Sequence, residues 1–168
     1  MQDSTAEGFV LQGWIRMDFA DRVRKVTDAG INARIDREIE ECVRFYAEQG
    51  KAEISRCIDD LELEWDIDRA LEANEAALGI TGLMLGVFYD RRWLIVPGVV
   101  LPFLLQHAVQ GWCPPIPVLR RLGFRTRKEI DAEKYALKAL RGDFKDVPLS
   151  PEGDPDVRAG KALQAARM

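Results

Sequence analysis

Few side chains in this 168-residue sequence could do chemistry. Cysteines stand at 42, 57 and 113, and the single imidazole is His107. An odd number of widely spaced cysteines argues against a disulfide scaffold and against a cysteine-based zinc site. One histidine excludes His-rich metal sites and any catalysis that needs two imidazoles. Cys113 is the best nucleophile candidate: a thiolate near basic groups has a lowered pKa and can attack or carry sulfur. Two features oppose that role. The C-terminal end of a helix has the wrong dipole for a thiolate, and no second cysteine is adjacent to resolve an intermediate. Cys42 and Cys57 fall on apolar stripes and read as small buried side chains. No phosphate loop, catalytic triad, paired-carboxylate site or metal spacing is present. The expectation is a protein without catalytic residues, cofactor or metal.

The elements that would position these residues follow from how charge is distributed. The chain has 24 Lys and Arg, 28 Asp and Glu, and a net charge of -4, with 47% apolar residues. That apolar share excludes a disordered chain, and the acidic balance speaks against nucleic-acid binding by charge. The charges are segregated. Residues 1–75 carry 19 acidic and 10 basic side chains, and residues 113–168 carry 8 and 12. Residues 76–112 carry only Asp90, Arg91 and Arg92. The first 15 residues include Gln2, Asp3 and Glu7 and lack the pattern of a signal peptide.

The uncharged middle reads as a transmembrane helical hairpin. Its first run is Ala76–Tyr89 and its second is Trp93–Trp112, 14 and 20 residues. The second run is about 30 Å long as a helix, enough to cross a bilayer core. The first becomes long enough when extended back to about residue 70. Tyr89, Trp93 and Trp112 bracket the runs as interface anchors, because their rings favour headgroup depth. A soluble core helix should show a polar face every 3.6 residues, and Trp93–Leu105 shows none. Arg120, Arg121, Arg125, Arg127 and Lys128 follow the second run, and Arg69 precedes the first, against Arg91 and Arg92 in the turn. This asymmetry predicts both termini in the cytoplasm.

Within the hairpin, Gly82 and Gly86 form a small-xxx-small motif, with Gly79 a turn earlier. Missing side chains let two helix backbones approach, which suits packing within or between chains. Pro97 and Pro102 lie in the second run and are read as packing kinks. Gln106, His107 and Gln110 are its polar residues; their interfacial position makes them hydrogen-bonding groups rather than a proton relay, and with one His and no nearby membrane carboxylate no metal site is expected.

The flanks are all-α and amphipathic. Ile31, Ile35, Ile39, Cys42, Val43 and Tyr46 recur at helical spacing up to Gly50. A second helix starts near Lys51 and meets no Gly or Pro before the membrane, so it is expected to run on to Tyr89. After Cys113-Pro114-Pro115-Ile116-Pro117 holds the chain extended, the capping box Thr126–Glu129 and the C′ residue Gly142 delimit a helix over Arg127–Arg141. Arg127, Lys134, Lys138 and Arg141 share one face of it. That face suits anionic headgroups or packing on other cytoplasmic helices. The resulting organisation is a cytoplasmic helical segment over 1–75, a hairpin over 76–112 with helices about 70–89 and 93–112, a Pro-rich link and amphipathic helix over 113–145, and a flexible tail over 146–168.

A Gly-rich first helix and a second ending in Gly111-Trp112-Cys113-Pro114 resemble the YgaP-like transmembrane domain of bacterial inner-membrane proteins, over about residues 70–122. The resemblance implies a bacterial inner membrane, a cytoplasmic N-terminus and a dimer, and no activity for the hairpin. Some members carry a sulfur-transfer rhodanese domain, which this sequence lacks. The expected function is therefore a non-enzymatic membrane protein whose hairpin, in a lipid bilayer, anchors a helical module for self-association or for docking a membrane-protein partner. The alternatives are a sulfur-transfer or redox protein using Cys113, and a soluble helical bundle.

Overall fold

The computed structural model describes residues 22–148 and 154–167, and the amino-terminal segment without a signal-peptide pattern lies outside them. Among the described residues the chain is all helical. The helices are α1 (Arg22–Val26), α2 (Ala29–Tyr46), α3 (Lys51–Leu63), α4 (Ile67–Phe88), α5 (Ile95–Gln110), α6 (Ile116–Arg121), α7 (Arg127–Arg141) and α8 (Pro155–Arg167), with a 3₁₀ turn at Arg91–Leu94 before α5. Two compact units emerge. Of the described residues, one comprises Trp65–Lys128 with those up to Ala33, and the other Arg34–Glu64 with those from Glu129 on.

The first unit holds the apolar helices α4 and α5. The runs Lys51–Phe88 and Arg91–Gln110 each contain a stretch long and apolar enough to cross a membrane. The expected continuous helix from Lys51 to Tyr89 is broken at Glu64–Asp66, where Glu64 and Asp66 adopt extended backbone. The break has a physical cause. Asp66 caps α4 by accepting from the Arg69 N–H at 2.8 Å, and the Ile67 N–H, which has no partner inside its own helix, donates to the Arg125 carbonyl at 2.8 Å. Helix starts need such outside acceptors, and here a tertiary one is supplied.

α4 packs against α5 and the turn before it. A Cβ added at Gly82 would lie 2.7 Å from Val96 Cβ and from Pro97 Cδ, and one at Gly86 would lie 2.5 Å from Leu94 Cδ2. Pro97 falls in the first turn of α5, where its missing N–H costs no intrahelical bond, so only Pro102 lies inside the helix. α5 ends at Gly111, whose φ of 72° is left-handed and whose N–H donates to His107 O. A Cβ there would also meet Arg22 Cβ at 2.7 Å, so both conformation and close approach require glycine. Beyond it, Val23, Ile67, Leu71, Cys113 and Ile116 form a small core, with Phe103, Leu119 and Phe124 against it.

In the second unit, Ile54, Cys57, Ile58 and Leu61 of α3 pack on Ile130 and Leu137 of α7. α7 keeps the boundaries that its capping box and Gly142, with φ 90°, predict. Of the two expectations for its basic face, headgroup contact or packing on other helices, the burial fits packing. Lys134 and Lys138 are buried, and Arg141 is engaged with Asp143 and Ser55. Lys138 Nζ donates to the Ala166 carbonyl at 2.8 Å. Its acceptor belongs to α8, a helix in the region expected to be a flexible tail. Proline at the first helical position and an Asp154 side chain accepting from the Asp156 N–H start that helix.

Candidate functional site

Two groupings of side chains stand out, one in each unit. In the first, α5 and the chain after it carry polar groups onto one face of α4. His107 Nε2 lies 3.2 Å from Asp68 Oδ1. Two turns along α4, the Cys113 thiol donates to Glu75 Oε1 at 3.0 Å. Asp68 and Glu75 are seven residues apart in sequence, two helical turns, so they project from the same side. Spacing along the chain does not place a carboxylate beside His107. The antiparallel return of α5 does. Gln106 donates to Gln110 Oε1 at 3.4 Å on an exposed part of the same helix.

Cys113 is 1% exposed and Glu75 4% exposed. Burial, then the hydrogen bond and charge of Glu75, pushes the Cys113 thiol up to about 12. A thiol so placed is protonated at neutral pH and out of reach of solvent, the opposite of a reactive thiolate. Its chemistry in this setting is hydrogen-bond donation to a buried carboxylate, which holds the chain after α5 against α4.

The remaining sequence-predicted residues occupy distinct places. Gly82 and Gly86 form the α4–α5 contact, whereas nothing approaches within 4 Å of a Cβ built at Gly79. Tyr89, Trp93 and Trp112 are exposed, as interface anchors would be. Of the basic residues after α5, Arg120 is completely buried, donating to Phe124 O at 3.1 Å and to Asn32 Oδ1 at 2.8 Å. It is a structural cation as well as a counted charge. Arg125 and Arg127 are half-buried, and Arg121 and Lys128 are exposed.

Among the described residues, α4 and α5 expose many apolar side chains. No residue of α5 is buried, and Ile95, Val99, Leu101, Leu105 and Val109 are all exposed. On α4, Ile80, Leu83, Met84, Val87 and Phe88 face outward as well. Soluble monomers rarely expose so contiguous an apolar surface.

In the second unit, α2, α3 and α7 bring Cys42, Cys57 and Glu133 together, with ligand-capable atoms all within 4.8 Å of one another. Cys42 shares hydrogen bonds with Glu133 and with Cys57, and Cys57 shares one with Tyr46. Burial, followed by Glu133, pushes the Cys42 thiol up to about 12. Burial also raises Cys57, and its hydrogen bond with Cys57 raises Tyr46. Sequence spacing hides this cluster, because its members sit on three helices and Glu133 follows Cys57 by 76 positions. Cys42 and Cys57 do lie on apolar stripes as expected. The stripes face each other, which brings the sulfurs together.

Comparison of the chain with protein-family models, with curated proteins and with solved structures gave no match.

Proposed function

We propose that this chain is an integral membrane protein in which α4 and α5 cross the bilayer as a hairpin. In this reading both termini are cytoplasmic, and the remaining helices form a non-enzymatic module that self-associates or docks a membrane partner. The observation that carries the reading is the outer surface of α5. A helix with no polar stripe and no buried residue has nowhere in water to place its apolar side chains. Each such side chain gains about 1.5–3 kcal/mol when removed from water. Lipid supplies that removal on all sides, and Arg91–Gln110 at about 1.5 Å per residue spans a bilayer core of about 30 Å. Exposed Tyr89, Trp93 and Trp112 at the two ends of the helix support the same placement.

The basic residues beyond α5 favour the cytoplasmic side for both termini, and the Gly111-Trp112-Cys113-Pro114 ending favours a bacterial inner membrane. Close contact at Gly82 and Gly86 is used within the chain, which leaves Gly79 and the outer face of α4 for a second copy or a partner. The deciding experiment is fractionation of expressing cells with a carbonate wash. The protein should stay in the washed membrane pellet and need detergent for release. Recovery in the soluble fraction would instead favour a helical bundle in water. Crosslinking in native membranes should then trap a dimer or one defined partner.

A further inference from the structure

We propose that Cys42, Cys57 and Glu133 form a binding site for a thiophilic divalent cation, of which Zn²⁺ is the type. Three helices converge to supply the donors: Cys42 from α2, Cys57 from α3 and Glu133 from α7. The chemistry of the set is specific. Two sulfurs and one carboxylate oxygen match the ligands that zinc takes in proteins and exclude Mg²⁺ and Ca²⁺, which prefer all-oxygen shells.

The geometry is nearly that of a bound metal. With bonds of about 2.0–2.3 Å, the ligands of a tetrahedral zinc site sit roughly 3.3–3.8 Å apart. The three atoms already lie within 4.8 Å of one another, so rotamer-scale movement closes the set. Two of the donors are buried, Cys57 and Glu133, and Cys42 is half-buried. A dication would offset two of the three negative charges that two thiolates and one carboxylate carry, in a setting that otherwise penalises charge.

The fourth position has an identifiable source. Cys57 lines a cavity of about 310 Å³ that Tyr46, Glu53, Arg56 and Asp60 also line. The cavity reaches the cluster on its Cys57 side only, where solvent would supply the fourth ligand beside three from the protein. Tyr46, hydrogen-bonded to the Cys57 sulfur, would orient that ligand from outside the coordination shell. Binding is a ligand exchange without redox change: two metal–sulfur bonds and one metal–oxygen bond to Glu133 form, metal–water bonds of the hydrated ion break, and two thiol protons pass to solvent. Loaded with metal, the site ties α2, α3 and α7 together and makes the second unit's stability depend on the ion.

The test uses the full-length chain, stripped with a chelator under reducing conditions and titrated with Zn²⁺, and with Co²⁺ as a spectroscopic probe. The expected result is one metal per chain and, with Co²⁺, a near-ultraviolet sulfur-to-metal charge-transfer band. Cys42→Ser and Cys57→Ser should abolish stoichiometric binding. Glu133→Gln, nearly isosteric, should keep the band and weaken affinity at least about tenfold. Cys113→Ser should leave binding unchanged. Wild-type protein that takes up no Zn²⁺ overturns the proposal whatever the variants do. So does a band that survives in Cys42→Ser or Cys57→Ser or disappears in Cys113→Ser. Chelator treatment offers a second readout independent of any variant: it should lower the thermal midpoint of the wild-type chain, with Zn²⁺ restoring it. A midpoint indifferent to Zn²⁺ overturns the proposal as well.

Discussion

The Cys113 thiol reaches back across 38 positions of sequence to donate to Glu75 Oε1 at 3.0 Å. This bond fastens the chain just after α5 to the middle of α4. It turns the one cysteine that sequence alone marks as a nucleophile into a buried donor.

Cys113 should therefore be inert. With the thiol pushed up to about 12, its thiolate fraction near pH 8 falls roughly a thousandfold below that of an ordinary thiol. Maleimide labelling of the folded chain, read by peptide mass spectrometry, should leave Cys113 unmodified until denaturant is added. Labelling at the rate of an exposed thiol would refute the burial argument. Linkage sets the sign of the pH effect. The folded value lies above the unfolded one, so this contribution is complete below about 9 and is lost as pH rises through about 12. Cys113→Ser, which does not titrate, should lose less stability than wild type over that alkaline range.

The glycines of α4 should separate by position. Gly82→Ala and Gly86→Ala push a methyl group into Val96, Pro97 or Leu94 and should destabilise the chain by about 1–3 kcal/mol. Gly79→Ala meets nothing of its own chain within 4 Å, so in the detergent-dispersed monomer it should be neutral or stabilise by up to about 1 kcal/mol through helix propensity. Denaturant titrations in detergent, followed by circular dichroism, check the order. A Gly79 variant as damaging as the other two would place an unseen contact there.

The capping signals in the sequence survive into the structure, but the proline run expected to hold the chain extended does not: Pro115 is in the right-handed helical region and Ile116–Arg121 is helical. The long-range contacts are not legible in a linear pattern. The capping box at Thr126–Glu129 and the glycine at 142 delimit α7 because capping is settled within four or five residues. The break before α4 is different. Asp66 is a good cap, but Ile67 also needs the Arg125 carbonyl, and nothing in a linear pattern predicts an acceptor 58 positions away. Asp68 meets His107, and Cys42 meets Cys57 and Glu133, for the same reason: helix pairing, not spacing, makes these neighbours. The basic face of α7 could be read two ways from sequence, and packing on other helices holds because lysines can bury their stems while the ammonium finds an acceptor. Lys138 does so with Ala166 O.

Arg141 and Asp143 form a two-pronged pair that should matter more than a surface ion pair. Arg141 Nε and Nη2 donate to Asp143 Oδ1 and Oδ2 at 2.8 and 2.6 Å, and the Asp143 side chain is 5% exposed. Asp143→Asn should cost about 1.5–3 kcal/mol. The Arg141 hydrogen bonds hold the Asp143 carboxyl below the usual carboxylate range. A lowered folded pKa means the contribution is full above the unfolded value near ~3.9 and fades as pH falls through the folded one. The gap in stability between wild type and Asp143→Asn should thus be constant from pH 5 to 8 and narrow in stronger acid. A gap that widens on acidification would reverse the assignment.

A charge on the outward face of α5 separates lipid from water most directly. Leu101 is 57% exposed near the middle of the helix, so Leu101→Arg creates no clash in either setting. In a helix facing water, such a surface substitution changes stability by no more than about 0.5 kcal/mol. In a helix crossing a bilayer, an arginine at the centre costs about 2.5–3.5 kcal/mol for insertion. The expected outcome is a marked loss of carbonate-resistant protein for Leu101→Arg. Leu101→Ala should remain in the membrane, and Arg92→Ala in the turn should insert as wild type does. Each variant is read as the fraction retained in washed membranes at equal expression. If Leu101→Arg partitions like wild type, the α5 surface does not face lipid. Its apolar side chains must then be covered by a partner or another copy of the chain.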